Sequence, residues 1–207
     1  SGAVEVDIIK DIIDVLVSGS HKAIKIPPGV AFVAYSDRAK DRFAEVTTPR
    51  FYLDLNKYLS SQEQNSTPFT PNVALFRGVN AYVELVKHEG LNHVIKRHYS
   101  IRNALRTALK SLDLELLVKD DSYASPTVTS FVPKDKEELT YLKDQLKSRF
   151  NITIAGVQGH LKGHILRIGH MGKVSPFDIL SVVSAIEILL TESRNKNYIG
   201  KRISQFM

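Results

Sequence analysis

The sequence predicts a mixed α/β protein in which the end of a parallel sheet is followed by long helices and then by a smaller α+β domain. Two short apolar, β-branched runs, 12–17 and 30–34, do not alternate with polar residues, which is typical of buried strands in a parallel sheet. From about 72 to 112, apolar residues recur at steps of three and four, which indicates helices with one buried face. Short strand-like and helical segments then alternate. The predicted parts are therefore 1–71, 72–112 and 113–207.

The composition limits the classes of protein to which the chain can belong. Its 207 residues, 43% hydrophobic and 24% charged, suit a water-soluble globular protein. Because no apolar run approaches the roughly 18 residues that span a bilayer, we expect a cytoplasmic protein with no membrane partner. The absence of cysteine excludes disulfides, thiolate metal sites and a thiol nucleophile.

The formal net charge of +6 leaves open a basic module that binds nucleic acid. Much of that charge falls between 87 and 110, within the predicted helices, where a solvated helix face explains it better. We therefore expect no nucleic-acid partner. Arg77 and Arg97 are interpreted as surface charges.

The first part is predicted to run strand, loop, strand, helix. Ser36 is a favourable N-cap for that helix, with Asp37 in its first turn, and Thr48-Pro49 is predicted to end it. The polar, proline-containing segment 60–71 is predicted to be a loop.

The helical region 72–112 is predicted to be two helices, or one helix with a break, because Gly90 interrupts it. Three histidines occur in it at steps of five, a spacing that does not place them on one helix face. They are therefore interpreted as surface residues rather than a metal site. These residues are His88, His93 and His98.

The last part is predicted to contain four strands, at 114–118, 127–132, 152–154 and 164–168. One helix is predicted from Asp135, with Glu138 three residues later, to Phe150. A final helix is predicted to begin with Ser175 as N-cap, proline at the first position and Asp178 at the third. Its predicted core face is Phe177, Leu180, Val183, Ile186 and Leu190.

Lys22 lies in the loop between the first two predicted strands, at a sheet edge where α/β proteins hold ligands. Its segment contains the pattern Gly-Ser-X-Lys-Ala-X-X-X-Pro-Pro-Gly, formed by Gly19, Ser20, Lys22, Ala23, Pro27, Pro28 and Gly29. This pattern resembles the cofactor-lysine motif of class V (fold type I) pyridoxal-phosphate aminotransferases of the alanine-glyoxylate and serine-pyruvate type. Residues 163–172 are similar to a second block of that family, Gly-Lys-X-X-Arg-Ile-Gly-X-Met-Gly. The resemblance extends from about 4 to 192.

This resemblance implies pyridoxal 5′-phosphate as cofactor, Lys22 as the Schiff-base lysine and Arg167 as the residue that binds the substrate carboxylate. A guanidinium matches a carboxylate with two parallel hydrogen bonds. Ser20 and His21 are expected to be cofactor neighbours. His21 departs from the glutamine expected there; a histidine can also contact the phosphate or a ring substituent, and a purely structural role is left open. Lys25 lies outside the matched positions.

Residues 66–71 resemble the family segment that crosses a dimer interface and contacts the partner's cofactor phosphate. The resemblance therefore implies a homodimer with shared active sites, in which Thr67 is preferred over Ser66 and Thr70 for that contact. The family's pyridinium aspartate, ring-stacking aromatic and glycine-rich phosphate loop would all precede Ser1. We accordingly interpret the chain as the C-terminal portion of a longer enzyme.

The predicted activity is transamination between a small amino acid, alanine or serine, and a small keto acid, glyoxylate or pyruvate. Other class V activities remain alternatives: a phosphonate or ureidoglycine aminotransferase, or a lyase. Cysteine desulfurases resemble the same family but need a catalytic cysteine, which this sequence lacks. From a different class, a non-catalytic basic binding module that kept the fold also remains open.

Overall fold

A computed structural model describes residues 3–6 and 12–200, and the chain divides into two compact units, Ser1–His88 and Glu89–Met207. The boundary between these units falls inside the predicted helical region 72–112. The division into three parts stays a prediction. No helix within the described ranges is long and apolar enough to cross a membrane.

The first unit begins with a two-stranded antiparallel sheet of β1 (Val15–Gly19) and β2 (Ala31–Tyr35). The prediction that these runs belong to a parallel sheet is wrong for this pair. The loop that joins them is too short for the crossover that parallel neighbours need, so the chain turns straight back. Full burial is also not observed in the described residues, because the side chains of Val15 and Val17 are 44% and 64% exposed.

Three helices follow in this unit: α1 (Asp37–Glu45), α2 (Leu55–Glu63) and α3 (Val73–Glu89). The predicted N-cap of α1 is confirmed, since the Ser36 hydroxyl accepts a hydrogen bond from the Ala39 amide at 3.2 Å. The helix ends at Glu45, before the predicted stop. The predicted loop 60–71 is wrong at its start, because its first four residues form the last turn of α2.

The second unit contains α4 (Leu91–Ser111), β3 (Glu115–Leu116), β4 (Val128–Val132), α5 (Lys136–Phe150), β5 (Leu166–Gly169) and α6 (Pro176–Arg194). Its three strands form an antiparallel sheet in the order β3-β4-β5. The predicted strand at 152–154 is not formed; instead Ala155 makes a single bridge to Arg167. The break between α3 and α4 occurs at Gly90, as predicted.

The core of this unit lies between the sheet and its helices. Helix α4 packs against β3 and β4, and α6 packs against both α4 and α5. Fully buried side chains come from every layer: Leu105, Leu109, Phe131, Leu142, Leu146, Leu166, Ile186, Leu189 and Leu190. Along β5, Leu166 and Ile168 are buried whereas Arg167 and Gly169 are exposed, so Arg167 lies on the sheet face opposite the core.

Local signals predicted the helix starts correctly. Asp135 accepts the Glu138 amide at 2.8 Å at the start of α5, and Ser175 with Asp178 forms a complete capping box at the start of α6. Phe177 is an exception to the predicted core face of α6, because its side chain is 78% exposed. At the first turn of a helix, a residue can extend beyond the layer that the later turns cover.

A buried ion pair joins α5 to α6. Glu138 and Arg194 form two hydrogen bonds, of 2.6 and 2.7 Å, and their side chains are only 6% and 17% exposed. Burial is the strongest single influence on Glu138 and opposes its ionisation. The hydrogen bonds from Arg194 and from the Lys134 amide, together with the charge of Arg194, outweigh burial and lower the pKa of Glu138. The pair therefore stays charged inside the unit.

Candidate active site

Ser20 fixes the base of the loop that carries Lys22. It is fully buried, and its backbone amide donates to the Val30 carbonyl at 2.9 Å. Its hydroxyl donates to the Pro27 carbonyl at 2.8 Å and accepts the Val30 amide at 3.3 Å. Both sides of the loop are thus tied to one side chain. Ser20 shapes the loop, and its contact with a cofactor stays a prediction.

Lys22 itself is exposed at the far end of this loop. Two consecutive turns hold its backbone: its amide donates to the Gly19 carbonyl at 3.3 Å, and its carbonyl accepts the Lys25 amide at 3.0 Å. Lys25 adopts a left-handed conformation with φ of 61°. Among residues 3–6 and 12–200, no carboxylate forms an ion pair with Lys22. The amine is presented on a defined backbone without a neutralising partner there.

The His21 ring lies against the backbone of Gly19. A Cβ at position 19 would come within 2.8 Å of the His21 Cε1 atom, so a larger residue there would displace the imidazole. The loop also rests on α3. A Cβ at Gly78 would lie 3.1 Å from Ile26, and a Cβ at Gly29, whose φ is +144°, would lie 2.6 Å from Leu75. These close approaches hold the Lys22 loop against the N-terminal half of α3.

The segment that leads into α3 carries the predicted phosphate contacts Ser66 and Thr67. Both are exposed. The Thr67 hydroxyl donates to the Phe69 carbonyl at 2.8 Å, and the Phe69 ring packs against Tyr52 with centroids 4.8 Å apart. The Ser66 amide donates to the Ser61 carbonyl at 2.9 Å. The segment is therefore anchored at both ends, with its hydroxyls at the surface.

Arg167 is held in β5 on both sides, opposite Ser130 of β4 and bridged to Ala155 by hydrogen bonds of 2.7 and 3.1 Å. Its Nε–H donates to the Gly156 carbonyl at 2.9 Å. No carboxylate in the described part of the chain pairs with its guanidinium. Because the carbonyl occupies only one of five N–H groups, the two terminal nitrogens can bind a carboxylate.

The structure thus groups the predicted residues in two places. Ser20, His21 and Lys22 share one loop, and Ser66 and Thr67 lead into the helix that this loop contacts. Arg167 belongs to the second unit.

A model of the family described as "Aminotransferase class-V" matches residues 2–174. The chain belongs to the class V aminotransferase family. This finding confirms the resemblance carried by the two motifs. Class V aminotransferases are pyridoxal-phosphate enzymes, and the mixed α/β architecture agrees with the fold type I structures that the chain matches.

Two solved structures of aminotransferases resemble the chain closely. Pyridoxamine-pyruvate aminotransferase from Mesorhizobium loti is 26% identical with a TM-score of 0.91, covering 99% of this chain and 53% of that one. Alanine-glyoxylate aminotransferase from a Nostoc species is 25% identical with a TM-score of 0.83, covering 91% and 51%.

A more similar sequence carries a different name, "Soluble hydrogenase, small subunit", from Synechococcus sp. (strain PCC 6716). It is 44% identical over 197 residues, which are 95% of this chain and 51% of that protein. The chain spans about half the length of the relatives that it matches.

The sequence analysis does not predict the structural roles of two neighbouring side chains of α4, those of Arg97 and His98. His98 was predicted to lie at the surface with His88 and His93, but its side chain is 1% exposed; the prediction is confirmed only for the other two. Spacing could have revealed this, because His98 lies four residues after Val94 and three before Ile101, on the buried face of the helix. Arg97 is not a free surface charge either, since it pairs with Glu89 at 2.6 Å.

His170, the variable position of the second class V motif, is also fully buried. Its backbone amide donates to the Thr127 carbonyl at 2.8 Å, and its Nε2 lies 2.9 Å from the Thr129 hydroxyl. Burial lowers the pKa of His170 from 6.5 to about 4. The imidazole is therefore neutral at pH 7 and ties the end of β5 to β4.

Proposed function

We propose that this chain forms part of a pyridoxal-phosphate-dependent aminotransferase that transfers an amino group from alanine or serine to glyoxylate or pyruvate. The observation that carries the proposal is Lys22. Its amine is exposed on a loop whose backbone is fixed by Ser20 and by α3, it matches the lysine of the class V motif, and no carboxylate of the described residues neutralises it. The names of the Nostoc and Mesorhizobium relatives support the two keto acids.

The polar side chains of the first unit are suited to binding pyridoxal 5′-phosphate. Pyridoxal 5′-phosphate supplies an aldehyde that captures amines and a ring that accepts electrons released at the substrate α-carbon. Lys22 would hold the aldehyde covalently. The His21 ring and the exposed Ser66 hydroxyl are donors of the kind that bind a phosphate or a ring substituent. The exposed Thr67 hydroxyl would join them by exchanging the Phe69 carbonyl for the phosphate.

Lys22 has two further tasks in this proposal. Once a substrate amine has replaced it, its Nζ would accept the proton released at the substrate α-carbon and would donate it to the carbon on the other side of the substrate nitrogen. Both tasks need an amine that is free of a carboxylate partner and whose approach is set by a rigid backbone. The turns at Gly19 and Lys25 provide that backbone.

Arg167 would bind the α-carboxylate that every amino- or keto-acid substrate carries. The Gly156 carbonyl orients the guanidinium through Nε–H, and the two terminal nitrogens remain to form parallel hydrogen bonds with the carboxylate. The residue would thereby fix the orientation of the substrate through its carboxylate.

Shared active sites in a homodimer are part of the proposal. The support is the surface position of the Ser66 and Thr67 hydroxyls and the likeness to the family segment. The other class V activities named above remain alternatives for the substrate. The Synechococcus relative is named as a hydrogenase subunit. The present sequence contains no cysteine, so it supplies no thiolate, the ligand that holds iron–sulfur clusters.

The test is chemical trapping in the intact protein. Cofactor-loaded protein is reduced with borohydride and digested, and the pyridoxyl adduct is located by peptide mapping. We expect the adduct on Lys22; it should disappear in Lys22→Ala and persist in the matched control Lys25→Ala. An adduct on Lys25 in the unsubstituted protein refutes the assignment. Absence of any adduct, together with salt-sensitive retention on heparin, supports the basic binding module instead.

A further inference from the structure

The segment that follows β5 is tied to α4 by two adjacent side chains. The Gly172 amide donates to His98 Nε2 at 2.9 Å. Arg97 donates to the Gly172 carbonyl at 2.8 Å and to the Val174 carbonyl at 3.3 Å. The N–H and the C=O of Gly172 are therefore both bound to α4. Gly172 has φ of +81°, a conformation that favours glycine.

The hydrogen-bond partners of His98 fix its chemical form. The Val94 carbonyl, 2.7 Å from Nδ1, can only accept, so Nδ1 carries the hydrogen. The Gly172 amide can only donate, so Nε2 is the acceptor. His98 is thus a neutral imidazole with its proton on Nδ1, and its acceptor is directed at one backbone amide. A side chain without an acceptor would leave that buried amide without this partner.

This anchor lies close to Arg167 in the chain. His170, three residues after Arg167, is bound to Thr129 of β4 and to Thr127, the residue just before β4. Gly172, five residues after Arg167, is bound to α4. The end of β5 is therefore fixed from two directions, and side-chain orientation in a strand follows the orientation of its backbone.

We propose that His98 is a positioning residue for substrate binding: through the Gly172 amide it holds the end of β5 and so sets the direction of the Arg167 guanidinium toward an α-carboxylate. This inference rests on the proposed function of Arg167. Arg167 would bind the carboxylate both in the initial enzyme–substrate complex and in the transition state. If the Arg167 guanidinium is less well positioned, KM therefore rises more than kcat falls.

The test is a double-mutant cycle in the intact enzyme with alanine as amino donor. His98→Leu removes the acceptor at similar volume, His98→Gln keeps an acceptor, and His88→Leu is the exposed control. We expect KM for alanine to rise roughly tenfold in His98→Leu. It should stay near the unsubstituted value in His98→Gln and in the control. In an Arg167→Ala background, His98→Leu should add nothing further.

Independent, multiplicative effects of the two substitutions overturn the inference, as does an unchanged KM in His98→Leu. If His98→Leu does not fold, Arg97→Met takes its place in the same cycle, because Arg97 binds the carbonyl of the same glycine from a partly exposed position. Borohydride trapping distinguishes failure of this inference from failure of the proposed function. If the adduct forms on Lys22 but the effects of the two substitutions on KM multiply, only the positioning role of His98 is refuted. If no adduct forms, both the proposed function and this inference are refuted.

Discussion

Replacement of Arg167 by alanine tests the proposed substrate contact directly. The substitution removes a guanidinium that is exposed, whose Nε–H donates to the Gly156 carbonyl at 2.9 Å and which pairs with no carboxylate in the described ranges. We therefore expect little loss of stability, within about 0.5 kcal/mol as for most surface substitutions. The effect should instead appear in catalysis.

The expected loss of catalytic efficiency follows from the hydrogen bonds that Arg167 can donate to the substrate carboxylate. A hydrogen bond to a charged group contributes about 1.5–3 kcal/mol, and 1.36 kcal/mol corresponds to a factor of ten. Loss of one such bond lowers kcat/KM roughly tenfold to over a hundredfold. Because Arg167→Ala removes both parallel bonds, it should lower kcat/KM by at least this much. Arg167→Lys keeps the charge without the planar fork, so it should recover only part of the loss.

The assay is steady-state transamination of alanine with glyoxylate by the intact enzyme, beside the cofactor spectrum and the urea midpoint of each variant. Arg77→Ala, an exposed arginine on α3, is the control and should leave kcat/KM unchanged. A variant Arg167→Ala that unfolds, or that loses the cofactor before substrate is added, contradicts the reasoning and makes the arginine structural. Unchanged kcat/KM contradicts it as well.

Three further outcomes follow from other contacts. Arg194→Met leaves Glu138 buried without its partner and should lower the free energy of unfolding, measured in urea, by about 3–5 kcal/mol. Arg149→Met breaks the exposed pair with Glu192 and should lower it far less. Equal losses of stability would contradict this account. The pKa of His170 is about 4 in the folded protein, against 6.5 for an ordinary histidine. The free energy of unfolding should therefore fall as the pH drops from 6.5 to 4, by up to about 3 kcal/mol, because one pKa unit corresponds to 1.36 kcal/mol. His170→Gln should make this free energy less dependent on pH. A heterodimer of Lys22→Ala and Thr67→Ala protomers should regain one active site if these groups come from different chains; no gain over either parent would contradict trans contact.

The sequence was sufficient where local contacts decide the structure. Helix starts at Ser36, Asp135 and Ser175 were predicted because a cap needs only residues three positions apart. Gly90 marked the break between α3 and α4 for a similar reason. The family and its motifs were also recognisable, since each motif is contiguous in the chain.

Predictions that depend on distant contacts were less successful. The apolar runs that form β1 and β2 have the same composition in a parallel or an antiparallel sheet, so the runs alone could not reveal that the two strands pair antiparallel with each other. The prediction for His98 is wrong because the five-residue spacing of the histidines does not report burial, whereas the spacing of His98 to Val94 and Ile101 does. The bond between His98 and Gly172 joins residues 74 positions apart, and no local pattern predicts it.

Ion pairing with carboxylates helps to distinguish arginines that have a structural role from Arg167, the residue proposed to bind the substrate carboxylate. Arg97, Arg106 and Arg194 are mostly buried, and each is neutralised by a carboxylate, as expected for charges that hold elements together. Arg77 shows that the lack of a carboxylate partner is not sufficient evidence of function, because an exposed helix residue needs none. Arg167 differs from both groups: a backbone carbonyl orients its exposed guanidinium without neutralising it. Arg102 also bonds a backbone carbonyl and pairs with no carboxylate of the described residues, but it is buried. An oriented and uncompensated charge is what recognition of a carboxylate requires.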